Sequence, residues 1–230
     1  MTSLFEKIIV INLDRSPDKR EKISKQLDSL KLDYTVLSGF DGNLITNGSF
    51  ESLQKSGGYN YRPELKKKLT KTHMACSLSH VFAINLAKSM NYKNILVIED
   101  DAVICEDFND RILLVEKEVP KDWEHIYLGG MIWTDFIPTR RRAEHIYEST
   151  VISGTHAYVL NCNAYSKLSE YLSKLEDNVD GMLTNIIQLG IMKSYMFIPF
   201  FAYQDTLRSD IELGKIEDRS ISKKFYSNKI

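Results

Sequence analysis

The chain has 230 residues, with 30 Lys plus Arg against 31 Asp plus Glu, a formal charge of −1. That balance argues against binding nucleic acid by phosphate neutralisation, which needs a basic face and usually a basic total. Hydrophobic residues are 43% and charged residues 27%, the composition of a folded globular domain and not of a disordered chain.

No run approaches the ~20 apolar residues of a membrane helix. The first residues lack a secretory-signal pattern, since Glu6 interrupts them and the apolar run ends at Asp14. Cys76, Cys105 and Cys162 give neither a zinc spacing nor an even disulfide set, so a reducing, cytoplasmic setting is expected.

In chain order, residues 7–13 (KIIVINL) read as a buried strand. Ser16-Pro17 then opens a helix, Ser as N-cap and Pro at the first helical position, with Ile23, Leu27 and Leu30 on its apolar face. Residues 34–37 form a second strand, ended by Gly39 and Asp41-Gly42. Residues 43–71 read as a long irregular loop with about one helical turn; loops of that length are more often functional than idle. Residues 77–90 are apolar on most sides and suit a central buried helix. Residues 95–98 make a third strand that runs into Glu99-Asp100-Asp101, and residues 112–115 belong to a short helix. Further strands are expected at 125–128, closed by Gly129-Gly130, at 157–160 and at 196–199. Helices are expected after Asn163 as cap and over 179–189. Residues 1–211 read as one domain, and 212–230 as a polar tail.

This alternation predicts an α/β fold with a mainly parallel sheet flanked by helices. Ligands of such sheets bind beyond the carboxyl ends of the strands. Asp14-Arg15, Gly39 to Gly42, Glu99 to Asp101 and Gly129-Gly130 should therefore line one crevice.

The sharpest local signal is ILVIEDDAVI at 95–104. A carboxylate triplet after an apolar strand needs a cation or solvent, and all-oxygen donors favour Mg²⁺ or Mn²⁺. A solvated acidic turn is the plain alternative. His73 and His80, with Cys76 between them, lack a fourth zinc ligand nearby; Ser79-His80 reads better as a hydrogen-bonding pair that holds the acidic turn or faces a substrate. Arg15, next to a helix N-terminus, is suited to an anion. Arg140 to Arg142 read as a solvated run. There is no GxGxxG, no GxxxxGK[ST] and no GxSxG.

Taken in order, these segments resemble glycosyltransferase family 25, which includes bacterial lipooligosaccharide galactosyltransferases and procollagen galactosyltransferase domains. IVINLDRSPDKREKI is similar to the family's opening strand, and Phe40-Asp41-Gly42 to its "DG". Leu69-Thr70, Cys76 and Leu78-Ser79-His80 resemble its "LT..E.GC.LSH", and Glu99-Asp100-Asp101 its "EDD". GTHAYVL at 154–160, Val179-Asp180, and Gln204 followed by Ser209-Asp210-Ile211 complete the series. Thr72-His73-Met74-Ala75 departs from the family's Gly-Glu-Ile-Gly.

The resemblance implies a GT-A-type, Rossmann-like fold. It also implies inverting transfer of a hexose, galactose or glucose, from a UDP-sugar to a glycan or hydroxylysine-type hydroxyl, with Mn²⁺ (or Mg²⁺). Asp101 is then the first choice of metal ligand, with Glu99 and Asp100 beside it, and Asp180 is the general base, against a helix-capping role for the same residue. Asn12, Arg15, Asp41, Gly42, Ser79, His80, Gln204, Ser209 and Asp210 would surround the nucleotide sugar. The expected partners are a sugar donor and a glycan or protein acceptor, a lipid-linked acceptor being met peripherally at a membrane. Two other readings stay open: a catalytically silent nucleotide-sugar or glycan-binding module, and a sugar nucleotidyltransferase.

Overall fold

A computed structural model describes residues 2–56, 69–132, 138–149 and 151–204. In chain order the elements are β1 (Lys7–Asn12), α1 (Pro17–Ser29), β2 (Tyr34–Ser38), α2 (Asn47–Ser56), α3 (Lys71–Ser89), β3 (Asn94–Glu99) and β4 (Ala102–Ile104). There follow α4 (Phe108–Val115), β5 (His125–Ile132), β6 (Ile146–Glu148), β7 (Ile152–Asn161), α5 (Cys162–Leu172), α6 (Val179–Gln188), β8 (Ser194–Phe197) and β9 (Ala202–Gln204).

A seven-stranded sheet has the order β2-β1-β3-β7-β5-β8-β6, and β4 pairs with β9 in a small second sheet. β1, β2, β3, β5 and β8 point one way; β7 and β6 run against them. The sheet is thus mainly parallel in direction, as expected, with one antiparallel strand at its centre and one at its edge.

The apolar strands divide by alternation. Ile9, Ile11, Ile95, Val97, Tyr127, Tyr158 and Leu160 face the layer of α3, α5 and α6. Ile8, Val10, Leu96, Ile98, Ile126, Leu128 and Val159 face the layer holding α1 and α4. A strand covered on both faces has no polar side to show, which is why KIIVIN and ILVI read as continuous apolar runs. Among the described residues, no helix is long and apolar enough to cross a membrane.

Several local expectations shift. Ser16 precedes α1, but its side chain makes no capping bond; its carbonyl instead accepts from Asn12 Nδ2 at 3.1 Å. Part of the expected loop after β2 is helical, as α2. Helix α3 begins at Lys71, ahead of the expected start, because Thr70 and His73 form a reciprocal capping box. The cap of α5 is Asn161, whose side chain accepts from Asn163 N. β5 runs on through Gly129-Gly130 to Ile132. A Cβ at Gly129 would lie 2.6 Å from Ala202 O and 2.7 Å from the His156 ring, so glycine lets β9 and His156 close over the strand. The glycine pair is therefore packed inside the strand and does not line the crevice. Ser209, Asp210 and the 212–230 tail lie outside the described residues.

Candidate functional site

The ladder aligns the carboxyl ends of three strands: Asn12 lies opposite Ser38, and Ile11 opposite Glu99. Above them opens a cleft of about 640 Å³, its mouth included. Ile11, Leu13 and Phe40 line its apolar side, Arg15 and Lys19 its cationic side, and Glu99, Asp100, Asp101 and Gln204 its acidic side. Gly42, Ser79 and His80 also line it, with Thr72, Ala75 and Cys76 of α3.

Each carboxylate of the triplet has a different environment. Asp100 is turned towards β1, where its Oδ2 accepts from Asn12 Nδ2 at 2.7 Å and its backbone N–H donates to Ile11 O. Glu99 Oε1 accepts from Thr155 Oγ1, and His80 Nε2 lies 3.2 Å from it. Burial opposes ionisation of Glu99, yet His80, Thr155 and His156 together bring its carboxyl below the usual range. Asp101 Oδ2 accepts from Gln204 Nε2 at 2.8 Å, while its Oδ1 is buried without a hydrogen-bond partner. Burial, and then the negative charge of Glu99, push the Asp101 carboxyl from 3.8 up to about 7. Such an oxygen, in an acidic cleft, is what a hard divalent cation would satisfy. The residues therefore fit an oxygen-liganded metal, with Asp101 the best-disposed ligand.

The remaining expected residues divide into cleft and support. Arg15 Nε pairs with Asp41 Oδ2 at 2.9 Å, and Asp41 Oδ1 accepts from Asn43 N at 2.9 Å, so the loops after β1 and β2 are tied together at the cleft. Ser79 Oγ accepts from Phe40 N at 2.8 Å and donates to Ala75 O at 2.8 Å, holding the same loop to α3. A Cβ at Gly42 would lie 2.7 Å from Thr72 Cα and N, so this glycine lets the loop rest on the start of α3. Asn12 is buried and orients Asp100.

Asp180 does not line this cleft. It sits in the first turn of α6, where its Oδ2 accepts from Gly154 N at 3.1 Å. Asn178 supplies the cap of that helix, accepting from Gly181 N. The charge of Asp180 nevertheless reaches the cleft floor: after burial and Glu99, it helps hold the Cys76 thiol far above its ordinary range.

Lys19 and Thr155 were not singled out from the sequence as binding residues, whereas Phe40 belongs to the 39–42 stretch expected at the crevice and His156 to the GTHAYVL segment, where it was expected as a wall residue. Lys19 follows Pro17 by two positions in the first turn of α1, a signal available in the sequence. Thr155 and His156 come from the beginning of an antiparallel strand, which a rule about strand ends does not find. The arginine run is superficial, with Arg140 and Arg142 both paired to Glu148.

The chain matches glycosyltransferase family 25 (LPS biosynthesis protein) over residues 5–183. It is 28% identical over 180 residues to procollagen galactosyltransferase 1 of Danio rerio, covering 74% of this chain and 30% of that protein. It is 26% identical over 129 residues to procollagen galactosyltransferase 2 of Mus musculus, covering 54% and 21%. Over 172 residues it is 30% identical to the inactive glycosyltransferase 25 family member 3 of Homo sapiens, covering 71% and 28%. The matches thus span about a fifth to three tenths of these relatives' lengths. A crystal structure of a glycosyltransferase involved in glycosylation of the major capsid of PBCV-1 superposes with a TM-score of 0.53 at 8% identity, covering 89% of this chain and 94% of that one. That likeness concerns the fold alone. The family match covers most of the chain, including the acidic turn and the cleft lining up to Asp101, though not Gln204, and the chain belongs to glycosyltransferase family 25.

Proposed function

We propose that this chain is an inverting glycosyltransferase that moves a hexose, galactose or glucose, from a UDP-sugar to the hydroxyl of a glycan or hydroxylysine-type acceptor. The observation that carries the reading is Asp101. Its Oδ1 is buried without a hydrogen-bond partner in a cleft that also holds Arg15 and Lys19.

In this reading Asp101 holds Mn²⁺ or Mg²⁺, with Asp100 and Glu99 beside it. The bound cation would neutralise charge on the diphosphate as the glycosidic bond breaks. Gln204 keeps Asp101 oriented through its bond to Oδ2. Arg15 and Lys19 offer positive charge to the diphosphate oxygens, and Arg15 is steadied by Asp41. Phe40 offers an aromatic face to the nucleoside. Inversion requires a base on the face opposite the leaving group. Asp180 is assigned that proton although it lies outside the cleft lining, its carboxylate held by the Gly154 amide, so the role requires the acceptor to enter beside α6.

A second reading is a protein that binds the nucleotide sugar without transferring it. The named inactivity of a Homo sapiens relative favours it. A panel of UDP-, GDP-, CMP- and dTDP-sugars, scored for nucleotide release with and without Mn²⁺, separates the two. Metal-dependent turnover of one UDP-sugar supports transfer. Thermal stabilisation by UDP without turnover supports binding alone. Failure of both removes the nucleotide-sugar reading.

A further inference from the structure

Helix α3 carries Cys76 and His80 one turn apart, an i, i+4 pair on one face. Glu99, at the end of β3, meets that face. One ligand atom from each of Cys76, His80 and Glu99 lies within 4.8 Å of the others. All three residues line the cleft, so a cation can reach them. His73, the other histidine of the segment, is occupied in the capping box with Thr70.

Ligands about 2.0–2.1 Å from a tetrahedral zinc lie roughly 3.3 Å apart, and a thiolate stands about 3.6 Å from its neighbours. His80 Nε2 and Glu99 Oε1 are already 3.2 Å apart. The sulfur is within about 1.2 Å of its required separation. His80 Nδ1 lies 2.8 Å from the Tyr158 hydroxyl. In the tautomer that donates there, the orientation that metal-bound histidines receive from their outer neighbours, the Nε2 lone pair faces Glu99 Oε1 and Thr155 Oγ1, and a cation between Nε2 and Glu99 would replace a proton shared by the two.

We propose that Cys76, His80 and Glu99 form a zinc site on the cleft floor, with a fourth position open to water or ligand. One sulfur, one imidazole nitrogen and one carboxylate suit zinc rather than Mg²⁺ or Mn²⁺. Binding releases the Cys76 thiol proton to solvent and forms the sulfur–zinc bond. The site is chemically distinct from the all-oxygen position at Asp101, although Glu99 adjoins both.

The test is titration of the metal-free chain with Zn²⁺ against a chromophoric chelator, and with Co²⁺ followed by absorption. One equivalent of zinc is expected, together with a cobalt–thiolate charge-transfer band. Cys76→Ala should abolish the band and weaken zinc by more than about 100-fold, and Tyr158→Phe should weaken it by about 10–100-fold. Cys76→Ser, close to the native shape, serves if the alanine variant does not fold. Absence of zinc binding, or affinity and band unchanged in either Cys76 variant, would overturn the site. So would loss of zinc on His145→Ala, since Glu118, Glu144 and His145 make the other cluster of metal-ligating groups among the described residues. Zinc binding and donor turnover are read separately, so each can fail without the other.

Discussion

Asp101→Asn should stabilise the metal-free protein, increasingly so as pH rises. The folded carboxyl titrates at about 7 against 3.8 for its ordinary value, burial being the main cause and Glu99 the next. Between those values the unfolded chain has lost its proton and the folded chain keeps it. The contribution of Asp101 to stability is therefore fullest below pH 3.8 and falls as pH rises to about 7, then levels. At about 1.36 kcal/mol per unit, the full loss is on the order of 4 kcal/mol. Asparagine keeps an acceptor for Gln204 and removes the charge. The assay is thermal unfolding by circular dichroism in chelator, from pH 4 to 8. The variant should gain little at pH 4 and several kcal/mol at pH 8, at about 2–4 °C per kcal/mol for a chain of this size. Mn²⁺ at pH 8 should raise the melting temperature of the native chain and not that of the variant. Parallel melting of the two proteins across the whole range would refute the reasoning.

Three other substitutions probe the support around the cleft and its proposed chemistry. Gly42→Ala brings a methyl group to 2.7 Å from the Thr72 backbone and should cost about 1–3 kcal/mol; an unchanged melting temperature would show that the loop can yield. Asn12→Ala removes the donor to Asp100 and Ser16 and should cost about 1–3 kcal/mol in urea unfolding, at unchanged m-value. Asp180→Asn should lower kcat by about 10²–10⁴ with little change in donor KM, and a loss smaller than about tenfold would remove it from the role of base.

Much of the site was legible because its parts are local. The apolar run 95–98 and the carboxylates after it belong to one strand and one turn, and strand direction alone sends them to the ligand-binding edge. Arg15, Asp41 and Gly42 follow strands in the same way. What sequence reasoning missed depends on long-range pairing. Gln204 was expected near the nucleotide sugar from the resemblance alone; the pairing of β9 with β4 that brings it to Asp101 was not, both strands being too short to announce themselves. Thr155 reaches Glu99 because β7 runs antiparallel beside β3, which no spacing within either segment encodes. Likewise, Ser79 and Gly42 look like ligand-facing residues in the sequence, whereas their nearest neighbours are the loop and helix that they hold together.

The placement of β7 also bears on how the chain acquires its shape during synthesis. β1, β2 and β3 can pair as soon as the first hundred residues have emerged, but the strand between β3 and β5 lies more than fifty residues further on. Until then β3 and β5 each lack their shared neighbour, and apolar edges left open in this way favour association with other chains. Insertion of β7 closes both edges and brings Thr155 to Glu99 in one event. Delivery of Thr155 to the cleft is thus tied to closure of the gap between β3 and β5, so a nascent chain stalled before residue 152 would be both aggregation-prone and without that part of its cleft, while β8 and Gln204 of β9 arrive only later.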